Sequence, residues 1–421
     1  MKSLTYNKNI ESNNPSAIDY ILILLLILMS SNPFMLQNHL LFLIITFLII
    51  IFKVKLSIRQ LSVSKYDFMV IFFFFAYEII HLIIFQDIRL LNIFRLTFLG
   101  YVACMVIKVT NKNFVDIYLK IIYVLAIVSL VAYPLLNNNS FYYSVKEMAD
   151  FLFPLRKDIN DYYTPTLIFI TLDPSSLIFG NLYRNAGFAR EAGAFAIFLN
   201  IALSFNLFLK KNDTILNKKN IIYIIAIVST FSTTGYVVLF FELLAYNLLK
   251  STKRLTQIIY LIVFLFLSIN LFINQEFLSK KIQKQLSQAS KSQNRFGAAI
   301  LDISDWKEKP LFGWSRNTEI IMEQKRIGVI ELHRPNGITY LLRSYGILYF
   351  VVFMTLMYMS FMKLSNNYKI EKYKLIGMIL FLVVFFSAFS QLIFDFIFFK
   401  GLLFAGKYIY DKQIENVKEF A

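Results

Sequence analysis

The chain has 421 residues, 57% of them hydrophobic, with a mean hydropathy of +0.59 and a formal net charge of +17. Soluble domains sit near about 45–50% apolar, so this composition excludes an ordinary soluble fold. One cysteine, Cys104, excludes an intrachain disulfide, and three histidines (His39, His81, His333) give no zinc-binding cluster.

Continuous apolar runs recur along the whole chain, beginning with "ILILLLILM" (Ile21–Met29) and "LLFLIITFLIIIF" (Leu40–Phe52). Their continuity favours helical spans over a barrel, whose strands would alternate. The first run has no small-residue cleavage site after it and reads as a retained helix. Hydropathy predicts spans at 17–32, 37–53, 67–86, 89–108, 114–136, 188–210, 219–233, 234–250, 256–275, 337–362, 373–390 and 392–410. The pairs 219–233/234–250 and 373–390/392–410 can each also be read as one bent element. The expected architecture is an all-α polytopic membrane protein of about 11–12 transmembrane helices, built as a single integral domain over residues 1–421.

Charge sets the orientation. "KVKLSIRQLSVSK" (Lys53–Lys65), "LKKNDTILNKK" (Leu209–Lys219), "KSTKR" (Lys250–Arg254) and "KLSNNYKIEKYK" (Lys363–Lys374) are strongly basic and fall on one side of the twelve-span count. The positive-inside rule makes that side cytoplasmic, together with both termini. Most of the net charge is thereby explained, and without a soluble basic domain nucleic-acid binding is excluded. Two long segments, 137–187 and 276–336, fall on the outer face. The second carries eleven Lys/Arg and seven Asp/Glu. Within it, Phe296, Ile300, Ile303 and Trp306 share one helical face while Arg295, Asp302 and Asp305 lie off it. This predicts an amphipathic helix against the membrane or the bundle, ended by Pro310 and Gly313.

Ionisable residues inside spans are costly and need partners. Glu78, His81, Arg95, Asp395 and Lys400 are read as interhelical pairs or snorkelling ends. The outer mouth differs. Arg184, Arg190 and Glu191 open the sixth span, Arg295 and Arg316 flank the amphipathic segment, and His333, Arg334 and Arg343 precede and enter the tenth. Guanidiniums gathered on one face suit a pyrophosphate, because each planar fork binds two phosphate oxygens. A helix N-terminus adds N–H groups and a positive dipole end. Lipid-headgroup anchoring is the competing reading for these arginines. There is no G-x-x-x-x-G-K-[ST] or G-x-G-x-x-G, so nucleotide-driven chemistry is not expected.

Three stretches resemble the O-antigen polymerase (Wzy) and O-antigen ligase superfamily of bacterial inner-membrane proteins. "RNAGFAREAGAFAIFLNIAL" (Arg184–Leu203) is similar to that family's R-x-x-G-F-x-x-E-P-x-x-x-A helix start, with Ala192 in place of the proline. "FSTTGYVVLF" (Phe231–Phe240) resembles its S-x-[ST]-G segment. "RFGAAILDISDWKEKPLFGWS", followed by "HRPNGITYLLRSYGILYF", resembles its long outer loop and following span. The ligase branch places a histidine where Pro335 stands here, two residues after His333, which tilts the resemblance toward polymerase.

The resemblance implies transfer of a growing glycan from undecaprenyl pyrophosphate to a new lipid-linked repeat unit at the periplasmic or outer face. It implies no metal and no cofactor. Glu191 and His333 become the candidate general bases, with orienting Arg184 or Arg190 the alternative for Glu191 and a loop contact to sugar or water the alternative for His333. Arg184, Arg190, Arg295, Arg316, Arg334 and Arg343 become candidates for holding the pyrophosphate and glycan. The implied setting is the bacterial cytoplasmic membrane, with the lipid-linked oligosaccharide, the bilayer, a chain-length regulator and a flippase as partners. The alternatives are a ligase of the same superfamily or, from a different class, a lipid-linked oligosaccharide flippase or transporter.

Overall fold

The computed structural model describes residues 15–56, 64–86, 90–155, 164–172, 183–210, 214–250, 295–316 and 334–410. Among them the chain is helical, with one isolated bridge between Thr166 and Thr171 and no strand. In chain order the helices are α1 (Ala17–Leu28), α2 (Pro33–Gln37), α3 (His39–Leu56), α4 (Lys65–Phe85), α5 (Leu90–Thr110), α6 (Phe114–Leu136) and α7 (Asn139–Leu152). Then follow α8 (Ala192–Ser204, continued as a π-turn over Phe205–Leu209), α9 (Lys218–Ser229), α10 (Thr233–Lys250) and α11 (Arg295–Glu308). The last three are α12 (Gly337–Asn367), α13 (Tyr373–Ala388) and α14 (Ile397–Tyr408). Among the described residues four stretches are long and apolar enough to cross a membrane: Lys65–Phe85, Leu96–Leu136, Ala192–Leu209 and Gly337–Asn367.

α8 is the central element. Each of its residues from Ala192 to Ser204 is buried, with α6, α9, α10 and α13 around it. A helix apolar on all sides sits in a protein core or in lipid, and here the protein itself encloses it. Small residues allow the enclosure to be tight: Gly235 of α10 lies so close that an added Cβ would sit 2.8 Å from the Ala196 Cβ.

Polar pairs sort the helix termini into two ends of the bundle. At one end Lys53 pairs with Asp19, Lys210 with Asp116 at 2.5 Å, and Lys407 with Asp67, tying α3 to α1, α8 to α6 and α14 to α4. The basic members come from, or border, the basic loops read as cytoplasmic. The opposite end gathers the C-termini of α1, α6, α9 and α13 and the N-termini of α8, α10, α12 and α14. Asn32 there donates from its Nδ2 to Ile168 O (2.8 Å), Thr166 Oγ1 (3.1 Å) and Phe188 O (3.2 Å).

α12 is broken at Gly346, whose φ of 76° and ψ of 179° lie in a region essentially reserved for glycine. The break separates Ile347 N–H from its helical acceptor, Arg343 O. Both groups are satisfied by the strap that follows α11. Trp314 N donates to Arg343 O (2.7 Å), Ser315 N to Ser344 O (3.1 Å), and Ile347 N to Pro310 O (2.9 Å). A side chain at 346 would drive into the Leu311 carbonyl.

Several expectations are sharpened or corrected. The sixth span begins at Ala192 rather than 188, because residues 183–191 form a non-helical mouth. Residues 230–232 form a turn, so α9 and α10 are two helices and not one bent element. The segment 137–187, expected at the outer face, contains an unanticipated helix, α7. The 256–275 span lies outside the described residues. The amphipathic helix exists as α11, and of its two expected settings the bundle receives the charged side: Asp302 and Asp305 are buried, while Ile300 and Ile303 are 59% and 37% exposed, away from the bundle. The charges win the inner side because two arginines wait for them there.

Candidate functional site

Every described candidate residue lies at the same end of the bundle, but in three different settings. The first is the α8 mouth. Gly187 turns the chain there with a φ of 52°, and its missing side chain makes room for the Phe195 ring, 2.7 Å from where a Cβ would stand. Asn185 anchors the turn by donating to Ser229 Oγ (2.9 Å) and Ser129 Oγ (3.1 Å). Arg190 N donates to Ser31 O at 2.8 Å, so the backbone carrying the next two side chains is fixed.

Glu191 is the N-cap of α8 but makes no capping hydrogen bond. Its carboxylate turns sideways instead. Gln391, in the turn between α13 and α14, donates to Glu191 Oε2 (2.9 Å) and accepts from Arg190 Nη2 (3.1 Å). Arg190 Nε and Glu191 Oε1 are 3.7 Å apart, and the guanidinium lies 5.4 Å from the centroid of the Phe396 ring. The side chains of Arg190 and Glu191 remain 31% and 46% exposed. Arg184 is half-buried and donates from Nε to Thr230 O (2.9 Å), at the C-terminus of α9, where a cation is favoured.

The second setting is sealed. Arg334 and Arg343 converge on Asp302 Oδ1 at 3.2 and 3.3 Å. Arg334 also pairs with Asp305, and Thr339 Oγ1 donates to Asp302 Oδ2 at 2.8 Å. All four charged side chains are under one-tenth exposed. These arginines fix α11 to the start of α12 and are committed to carboxylates.

The third setting surrounds Arg316, which is half-buried at the end of the strap. Burial pulls its pKa down, and the neighbouring Tyr345, Asp395 and Glu78 outweigh that, so the guanidinium stays firmly charged. Tyr345 donates to Asp395 Oδ1 at 3.2 Å. His81 stacks on Tyr345 with ring centroids 5.6 Å apart. Residues 391–396 link this setting to the first, since Gln391 holds Arg190 while Asp395 precedes the Phe396 ring under it.

His333 lies outside the described residues, as does the side chain of Arg295. Sequence reasoning missed Gln391, Asp302 and Asp305. Gln391 is uncharged and sits between two apolar runs, so nothing in charge counting selects it. The Asp302 and Asp305 spacing was visible, and a carboxylate pair at i, i+3 between two arginine-bearing segments is a pairing signal. Among the described residues no group of three His, Cys, Asp or Glu side chains is placed to hold a metal ion. No protein-family model and no curated protein matches the chain.

Proposed function

We propose that the chain is a multi-pass glycosyltransferase of the bacterial cytoplasmic membrane, with both termini in the cytoplasm. In this reading it is a polysaccharide polymerase acting on undecaprenyl-pyrophosphate-linked repeat units at the outer face. The observation that carries the reading is the Arg190–Gln391–Glu191 array at the mouth of α8. It places a cation and a carboxylate side by side, partly open, on rigid backbone.

The acceptor sugar hydroxyl attacks the anomeric carbon of the growing glycan. The carbon–oxygen bond to the pyrophosphate breaks, and its electron pair leaves on the phosphate oxygen. Arg190 is suited to neutralise that developing charge, with Arg316 and Arg184 as further cations at the same end. The hydroxyl proton goes to Glu191, whose second oxygen is held by Gln391. The buried Arg334 and Arg343 support the site by fixing the strap that carries Arg316. The clustering of half-open charges at one end favours this reading over a flippase, whose charges should line a path reachable from both sides.

Purified protein incubated with a lipid-linked repeat unit tests the proposal. A ladder of longer lipid-linked glycans is expected from the wild type and not from Arg190→Ala. Movement of unchanged substrate across a bilayer without a ladder overturns it.

A further inference from the structure

Beside the arginine mouth lies a hydrocarbon groove that the reaction above does not use. It occupies about 610 Å³ between the C-terminal half of α6, the inner face of α7 and the turn at residues 164–172. Ile127, Val131 and Leu135 form one wall, Val145 and Met148 the other, and Leu167 closes one edge. Ser144 is the one hydroxyl among its lining residues, and it is turned back onto Ser140 O at 3.1 Å. The volume falls within the range of about 300–1,000 Å³ typical of small-molecule sites.

The sequence builds the second wall deliberately. Asn138 caps α7 by accepting from Ser140 N (3.0 Å) and Phe141 N (3.3 Å). Phe141, Val145, Met148 and Leu152 then recur on one face, with Lys146, Glu147 and Asp150 off it. A helix of this kind lies along an interface rather than across it.

Both walls are tied to the segment that carries Arg184. Tyr142 of α7 stacks on Tyr183 with centroids 4.5 Å apart and planes 5° from parallel. Tyr183 N donates to Asn137 Oδ1 at the end of α6 (2.8 Å). Asn185 bonds Ser129 of α6, and Thr171 N donates to Gly187 O (2.7 Å). The groove therefore borders residues 183–187, the segment that carries Arg184, with hydrocarbon on its own side and the cation on the segment beyond. A lipid with an anionic head on a long hydrocarbon tail matches that division.

We infer that this groove receives the polyprenyl chain of the lipid-linked substrate, delivering its pyrophosphate toward Arg184 and Arg190; the inference rests on the polymerase reading. The test uses full-length protein in phospholipid nanodiscs and undecaprenyl pyrophosphate carrying a photoreactive diazirine on the chain. Labelling is expected on residues 127–148 and 167–170, with competition by unlabelled undecaprenyl pyrophosphate but not by added phosphatidylglycerol. Met148→Trp, which fills the groove from an exposed position, should lower labelling about tenfold, and Met148→Leu should preserve it. Val131→Trp, on the opposite wall and 64% exposed, repeats the test should the first variant fail to fold. Labelling spread evenly over the apolar helices, equal competition by phosphatidylglycerol, or no response to either tryptophan overturns the inference. A parallel ladder assay separates the two ideas. A wild type that makes no ladder defeats the polymerase reading. A ladder with unchanged substrate dependence in a folded tryptophan variant defeats the groove alone.

Discussion

Two groups of arginines at the same end of the molecule are held in opposite ways. Arg334 and Arg343 are closed in with Asp302, Asp305 and Thr339, and their side chains are 5% and 2% exposed. Arg190 is 31% exposed and shares a neutral amide, Gln391, with the carboxylate beside it. A guanidinium enclosed with a buried carboxylate is shut off from a phosphate in solvent, and removing its partner strands a charge. A guanidinium held loosely through an amide keeps its charge available. Burial, not residue type, separates the enclosed arginines from the one left open to solvent.

The sharpest way to break this comparison is Asp302→Ala. Two buried arginines lose their shared counter-charge, and a loss of about 3–5 kcal/mol of stability is expected, read as collapse of the monodisperse peak and a large fall in thermal midpoint in detergent. A variant as stable as the wild type would show that the sealed group is not structural. Gly346→Ala comes next. It forces a side chain into a backbone region costing about 1–3 kcal/mol and into the Leu311 carbonyl, so a clear drop in thermal midpoint is expected. Gln391→Ala should cost about 1–2 kcal/mol, since one amide hydrogen-bonds two charged groups, and it should slow polymerisation by loosening both. Smallest in stability are Arg190→Ala and Glu191→Gln, each expected within about 1 kcal/mol of the wild type because the pair is partly exposed. Their effect belongs in the rate, a fall of about 100-fold or more in ladder formation. Unchanged rates with unchanged stability would place both residues outside the chemistry.

Much of the helix pattern was legible because it follows from hydropathy and from loop charge. Phe114–Leu136 is an apolar run in sequence and a helix with the same limits in the structure. The mouth of α8 was legible as a place, since Arg190 and Glu191 interrupt an apolar run. Its wiring was not, because Gln391 reaches it from 200 residues away and carries no charge. The sequence left the apolar side of α11 against either the membrane or the bundle, and the choice was not legible because it depends on Arg334 and Arg343, about 30–40 residues on, which draw Asp302 and Asp305 inward. The break at Gly346 was hidden because a single glycine within "LLRSYGILYF" looks like a small cost in a long helix rather than a change of acceptor.

That break bears on the order in which the chain assembles. α11 and its strap precede α12 in the chain, so during N-to-C synthesis the N–H groups of Trp314 and Ser315 and the carbonyl of Pro310 exist before the interrupted helix that needs them. Asp302 likewise precedes Arg334 and Arg343. Each group orphaned by the break in α12 thus emerges to meet a partner already made. A circular permutation that moved α11 after α12 would keep the same contacts yet ask the broken helix to wait for them.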